Sequence, residues 1–127
     1  MVNALSYHTV TRCADLLLFV SVSFEGQWQD GTKHGTGKMC YGVGRGEYDG
    51  EWANDQRSGL GVMTYHSGNV YTGGWAADVR HGSGKMLWVV ANEEYSGNWS
   101  LGSMHGEGKW SQLIIRVWCL QTRLSNL

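Results

Sequence analysis

The sequence predicts an all-β fold, an elongated single-layer antiparallel sheet built from tandem β-hairpins. Three observations carry this prediction. The chain of 127 residues contains 19 Gly, 7 Trp and 6 Tyr but no Pro. This mixture suits short strands and tight turns better than helices, where each interior glycine costs about 0.5–1 kcal/mol relative to alanine. An aromatic residue followed by Gly and Trp at alternate positions occurs four times, and a pair of alternate glycines follows each copy.

The spacing of these segments divides the chain into repeats. The aromatic–x–Gly–x–Trp segments begin at intervals of 24, 23 and 24 residues, at Phe24, Tyr48, Tyr71 and Tyr95. The glycine pairs stand eleven and thirteen residues after each start, at Gly35/Gly37, Gly59/Gly61, Gly82/Gly84 and Gly106/Gly108. A nearly constant period of this length indicates units that stack on their neighbours. The predicted array spans residues 24–111, with units at 24–47, 48–70, 71–94 and 95–111.

Each repeat has the pattern of a β-hairpin. In the first strand the aromatic residue, Gly and Trp share one face, while polar residues such as Glu25 and Asp49 take the other. Turn residues follow, for example Asp30-Gly31 and Leu101-Gly102. The glycine pair opens the second strand, and its missing side chains let a neighbouring ring lie across the backbone. Each hairpin therefore has one aromatic, glycine-rich face and one polar face.

The flanking segments lack the repeat. Residues 1–23 are predicted to be an N-terminal extension, in which 16–24 has the composition of a strand that pairs with the first hairpin. Residues 112–127 begin with a stretch rich in β-branched residues. They are interpreted either as a strand that caps the open edge of the sheet or as a tail.

Charge and cysteine usage exclude several classes of protein. The net charge of −1 and the isoelectric point near 6.5 disfavour nucleic-acid binding, which needs an excess of Lys and Arg. The three cysteines, Cys13, Cys40 and Cys119, are scattered and form no C-x-x-C motif. They fit a reducing cytosolic setting and disfavour a disulfide or zinc framework.

The repeated histidines are poor candidates for a metal site. His34, His81 and His105 stand immediately before a glycine pair. Equivalent positions in adjacent hairpins lie about 9–10 Å apart, whereas zinc needs each ligand nitrogen about 2 Å from one ion. These side chains are therefore expected to pack or hydrogen-bond near a turn, and no metal site is predicted.

The chain also lacks an enzyme signature. No G-x-S-x-G, H-E-x-x-H or Walker A motif occurs. The glycine-rich run 42–46 is followed by a predicted strand beginning at Tyr48, whereas a dinucleotide fingerprint requires a helix there. We expect no catalytic residue, no cofactor and no enzymatic activity.

The motif Y-x-G-x-W-x-x-G-x-x-H-G-x-G, which residues 95–108 match at every fixed position, resembles the MORN repeat (membrane occupation and recognition nexus). Asp55 and Asp78 depart from it at the first turn glycine. Residues 80–88 and 92–95 are similar to those of MORN-rich radial spoke proteins of motile cilia. This resemblance implies a structural component of the axoneme of a cilium or flagellum, cytoplasmic and cytoskeletal in location. It also implies that the chain is a short or partial form.

Two sets of residues are candidates for binding a partner. The first is the aromatic face, expected to be structural first and to contact protein partners second, since repeated aromatic residues are typical anchors. It comprises Trp28, Tyr48, Trp52, Tyr71, Trp75, Tyr95 and Trp99. The alternative is a peripheral membrane module that binds anionic phospholipid or phosphoinositide through a repeated basic row, Lys33, Arg57 and Arg80.

Overall fold

The computed structural model describes residues 22–113, which form one sheet of eight antiparallel strands in sequential order. The strands are β1 (Ser23–Gln29), β2 (Thr32–Cys40), β3 (Glu47–Ala53), β4 (Gln56–Thr64), β5 (Val70–Ala76), β6 (Val79–Trp88), β7 (Glu93–Ser100) and β8 (Ser103–Gln112). The predicted all-β, single-layer antiparallel sheet is confirmed. The strand predicted before the first hairpin and the C-terminal strand or tail fall largely on residues 1–21 and 114–127, outside the described residues.

A two-residue turn closes each hairpin. Both central residues have positive φ, as at Asp30 and Gly31 (49° and 76°) and at Leu101 and Gly102 (49° and 82°). Turns of this hand match the twist of antiparallel strands, which explains their use in tight hairpins. The turns predicted at 30–31 and 101–102 are confirmed. Ala77 adopts the same conformation (φ 47°), although it is uncommon for a residue with a Cβ atom.

A bulge in the second strand gives the two glycines of each pair different roles. In the first hairpin Gly26 faces Gly37, but Trp28 faces Lys33, so β2 contains two extra residues between these pairings. Gly35, the first glycine of its pair, lies in this bulge with φ 70°. The same shift recurs in the other three hairpins. The first glycine is therefore used for its backbone conformation.

The second glycine makes room for a ring, so the prediction made for both glycines of the pair is confirmed for the second and wrong for the first. A Cβ atom added to Gly61 would lie 2.2 Å from the Tyr48 hydroxyl and 2.4 Å from its Cζ. Gly84 stands in the same relation to Tyr71. Each tyrosine therefore lies flat across a pair of glycines that face each other on neighbouring strands, such as Gly50 and Gly61.

A row of rings along one face of the sheet makes up most of the core. Tyr48 contacts Trp52 of its own hairpin edge to face at 5.2 Å and Trp75 of the next hairpin at 5.3 Å. Equivalent contacts join Tyr71 to Trp75 at 5.3 Å and to Trp99 at 5.2 Å. Edge-to-face pairs at these distances contribute about 0.5–1.5 kcal/mol beyond the area they bury. The row therefore connects each repeat to the following one.

One expectation about the cysteines is wrong. Cys40, at the end of β2, is buried and disulfide-bonded, whereas the sequence favoured reduced cysteines.

Replacing Gly61 with alanine is expected to destabilise the protein by about 1–3 kcal/mol, because the added methyl group collides with the fully buried Tyr48 ring. The free energy of unfolding from a denaturant titration measures the effect. Leu60→Ala is the matched control, since Leu60 is the preceding residue and is 69% exposed. Equal stability of the two variants would contradict the ring-on-glycine packing.

Candidate interaction surface

The predicted aromatic face forms the core of the sheet. Six of its seven residues are 0–6% exposed, and the seventh, Trp28, is half-buried. The buried six are Tyr48, Trp52, Tyr71, Trp75, Tyr95 and Trp99. Their first predicted role, in structure, agrees with this placement. Direct contact with a partner remains a prediction, and these side chains offer it little exposed surface.

The polar atoms of these rings also bond within the sheet. The Tyr48 hydroxyl donates to the Glu51 carbonyl at 3.0 Å, within the same strand. The Trp52 Nε1–H donates to the Gly37 carbonyl at 2.9 Å, on the preceding repeat. Trp75 and Trp99 repeat the second bond at 3.4 and 3.2 Å. Because buried polar groups must be paired, each indole is fixed across a repeat junction.

The basic row lies on the aromatic side of the sheet. Lys33 is directly opposite Trp28 in the strand register, and Arg57 is directly opposite Trp52; residues opposed in this way share a face. The charged groups extend over the indole of the next repeat. The distance from Arg57 Cζ to the Trp75 ring centroid is 4.4 Å, and Arg80 Cζ lies 4.5 Å from the Trp99 ring. These distances are within the range of cation–π attraction.

The same cations bind the turn of the next hairpin. Lys33 Nζ lies 3.2 Å from the Asp55 carboxylate, and Arg57 Nε lies 3.1 Å from the Asp78 carboxylate. Arg57 Nη2 also donates to the Asp78 carbonyl at 2.8 Å. Arg80 Nη2 donates to the Gly102 carbonyl at 2.6 Å. The predicted lipid-binding residues therefore connect adjacent repeats, and their guanidinium and ammonium groups already have partners.

The two turn aspartates link neighbouring repeats, whereas sequence reasoning treated them only as departures from the repeat. Asp55 and Asp78 each accept the backbone N–H of the basic residue one repeat earlier at 2.8 Å. The bond from the Lys33 backbone is the main cause that lowers the pKa of Asp55. The signal was available, because each aspartate stands 21 or 22 residues after a Lys or Arg.

The opposite face of the sheet is polar and open. Directly opposed residues run across it from β1 to β8, in the order Glu25, Lys38, Asp49, Val62, Thr72, Lys85, Ser96 and Lys109. Between β5 and β8 this face forms an open concavity of about 1010 Å³, which we call the polar trough. Besides glycines, its lining consists of small polar and charged side chains: Thr72, Ser83, Ser96, Asn98, Lys85, Glu107 and Lys109.

The histidines and the acids do not form a metal site in the part of the chain that the structure describes. Across residues 22–113, no group of three or more His, Cys, Asp or Glu side chains could hold an ion. His34, His81 and His105 each stand near the start of their strand, β2, β6 and β8, shortly after a hairpin turn, which is the position expected for them; their role in packing or hydrogen bonding stays a prediction. The same residues contain no helix of the length and hydropathy needed to cross a membrane.

Comparison with known families agrees with the geometry. The model of the MORN repeat matches residues 24–44, 48–70, 71–90 and 95–111. The chain belongs to the MORN-repeat family. A search of the curated proteins gave no match to it. MORN repeats are generally modules that interact with proteins or membrane lipids, and in this MORN array the two faces differ sharply in what they expose.

Stability is expected to fall in alkaline solution because of the buried tyrosines. Burial raises the pKa of Tyr71 from 10.0 to about 12, although the nearby Arg80 opposes the shift. The folded state therefore holds this proton more tightly, and the resulting stabilisation is complete below about pH 10 and lost as the pH approaches about 12. Denaturant titrations should show a smaller loss over this range for Tyr71→Phe. An identical decline in both proteins would refute the assignment.

Arg57→Ala is expected to destabilise the array by about 1–2 kcal/mol, because it removes the cation over Trp75 and the bonds to Asp78. Chemical denaturation provides the measurement. Lys85→Ala is the control, since Lys85 is half-exposed in a surface ion pair with Glu94 and should change stability by less than about 0.5 kcal/mol. Equal losses of stability in the two variants would show that Arg57 does not stabilise the contact between repeats.

Proposed function

We propose that this MORN array is a non-enzymatic scaffold that binds protein partners through the polar trough, as a radial spoke component of the axoneme in motile cilia or flagella. The partners are other radial spoke or axonemal proteins. The proposal includes no cofactor and no nucleic acid, and it places the chain in the cytoplasm and cytoskeleton.

The observation that carries the scaffold proposal is the contrast between the two faces. On the aromatic side, rings, indole N–H groups and cations are committed to neighbouring repeats. On the other side, Thr72, Ser83 and Ser96 expose hydroxyl-bearing side chains in an open concavity. A shallow, open surface of this kind differs from the enclosed apolar pockets that hold small molecules. It suits an extended protein surface that can hydrogen-bond along the strands.

The location in the axoneme is supported by sequence similarity alone. Residues 80–88 and 92–95 are similar to those of MORN-rich radial spoke proteins. Residues 80–88 lie on β6, and 93–95 begin β7, so this similarity spans a repeat junction beside the trough. The absence of catalytic motifs from the sequence supports a structural role over an enzymatic one.

The contacts of the basic row argue against the lipid-binding alternative. A cation that binds a headgroup must present its charge to the membrane surface. Arg57 and Arg80 instead contact the following indole and turn, and the Lys33 side chain is only 20% exposed. Anionic phospholipid or phosphoinositide binding is therefore the second outcome that the experiment distinguishes.

Affinity capture from axonemal extracts, with cross-linking and mass spectrometry, tests the scaffold proposal. Wild-type protein should enrich radial spoke proteins and give cross-links from Lys85 and Lys109. Ser83→Arg, in the trough, should reduce this capture at least about tenfold by filling the contact surface with a large cation. Thr36→Arg is the matched control, because it occupies the same exposed strand position in the first repeat, outside the trough.

Flotation with vesicles that contain phosphoinositide is the parallel measurement. No retention of wild-type protein is expected on vesicles with or without this lipid. Vesicle binding without enrichment of axonemal proteins would replace the scaffold proposal with the membrane module. Capture that Ser83→Arg leaves unchanged would reject the polar trough as the contact surface.

A further inference from the structure

The two terminal strands of the sheet have the same form as the strands that meet at each internal junction. There, the second strand of one repeat pairs with the aromatic–x–Gly–x–Trp strand of the next, as β2 with β3, β4 with β5 and β6 with β7. β8 is a second strand and β1 is an aromatic–x–Gly–x–Trp strand. Within residues 22–113, each of these two strands pairs on one side only.

We propose that β8 of one copy of this chain pairs with β1 of a second copy, which extends the sheet head to tail. An unpaired strand edge is a ready template for such addition. Because the β8 edge and the β1 edge are different surfaces, the contact is heterologous and can continue from copy to copy. This inference goes beyond the proposed function and does not depend on it, since the partner is a second copy of the same chain.

The register follows from the three internal junctions. In β6 and β7, Gly82 faces Trp99 and Met86 faces Tyr95. The same pairing places Gly106 opposite Trp28 of the next copy and Trp110 opposite its Phe24. At each internal junction the residue opposite the tryptophan is a bulge glycine with positive φ. Gly106 meets this requirement with φ 64°. The backbone of β8 therefore has the shape that receives an aromatic–x–Gly–x–Trp strand elsewhere in the protein.

Charge on the polar face is complementary in this register. Lys109 would face Glu25 of the next copy, as Lys38 faces Asp49 across the first internal junction. Both side chains are exposed, and neither belongs to the ion pairs found within residues 22–113. Opposite charges directly across a strand pair are favourable, and like charges are unfavourable.

Within residues 22–113, the row of rings also has fewer contacts at its two ends. Trp52 packs edge to face against both Phe24 and Tyr48, whereas the ring contact described for Trp28 is with Phe24 at 5.2 Å. At the other end Trp110 is 56% exposed and Met104 is 44% exposed. The second copy would place its Trp28 beside Tyr95, beneath Met104, where sulfur–aromatic contact replaces the cation found at internal junctions.

Sedimentation velocity of the full chain over a wide range of concentration tests the proposal. Wild-type protein should form species that lengthen with concentration. Lys109→Glu and Glu25→Lys should each weaken association about tenfold, because each places like charges across the junction. Glu107→Lys is the matched control: it lies on the same strand but faces the uncharged Gln27 of the next copy, so association should change little.

Mixing the two variants tests directly whether residues 109 and 25 meet across the junction. A mixture of Lys109→Glu and Glu25→Lys places opposite charges at every alternating junction and should restore association to the wild-type level. Circular dichroism of each variant verifies that the sheet is folded. A wild-type chain that stays monomeric at all concentrations would overturn the proposal. So would a variant Glu25→Lys that associates normally, or a mixture that fails to recover, because either result contradicts a contact between Lys109 and Glu25 across the junction.

Discussion

The sheet depends on one packing unit, an aromatic ring that lies across two facing glycines and meets an indole on each side. Tyr48 shows it fully: the ring covers Gly61, its edge contacts are with Trp52 and Trp75, and it has no exposed surface. The close approach of ring and backbone buries the apolar surface that a second layer of protein would otherwise cover. Substituting the tyrosine, or the glycine beneath it, therefore disturbs contacts with two repeats at once.

The cations complete this unit by covering the indoles. A single-layer sheet has only side chains available to cover its core, and the stems and charged heads of Lys33, Arg57 and Arg80 serve that purpose. Their bonds to the following turn fix the spacing between hairpins. The basic row is thus an internal component of the array, and the exposed polar face remains as the broad surface for interaction.

Most of the fold was predictable, whereas the site was predictable only in part. The period identified four hairpins, their turns and the aromatic face because these features repeat along the chain. The position of Arg57 over Trp75 was missed because the contact joins two repeats, and alternation within one hairpin gives only the face on which a residue lies. The pairing of Arg57 with Asp78 was missed for a related reason, since it joins residues of different repeats. The polar trough also required the curvature of the sheet, which no single strand encodes.

The sequence by itself determined the repeat, the two-faced hairpins and membership of a one-dimensional array, because residue alternation and glycine placement are local properties of the chain. Only the tertiary structure decided which groups are available to a partner. The stacking of repeats buries Trp75 and occupies Arg57, while it leaves Ser83 and Ser96 exposed in the trough. The exposure of a side chain depends on the strands on both sides of it. For that reason the aromatic and basic residues that the sequence offered as binding sites are part of the core and its cover.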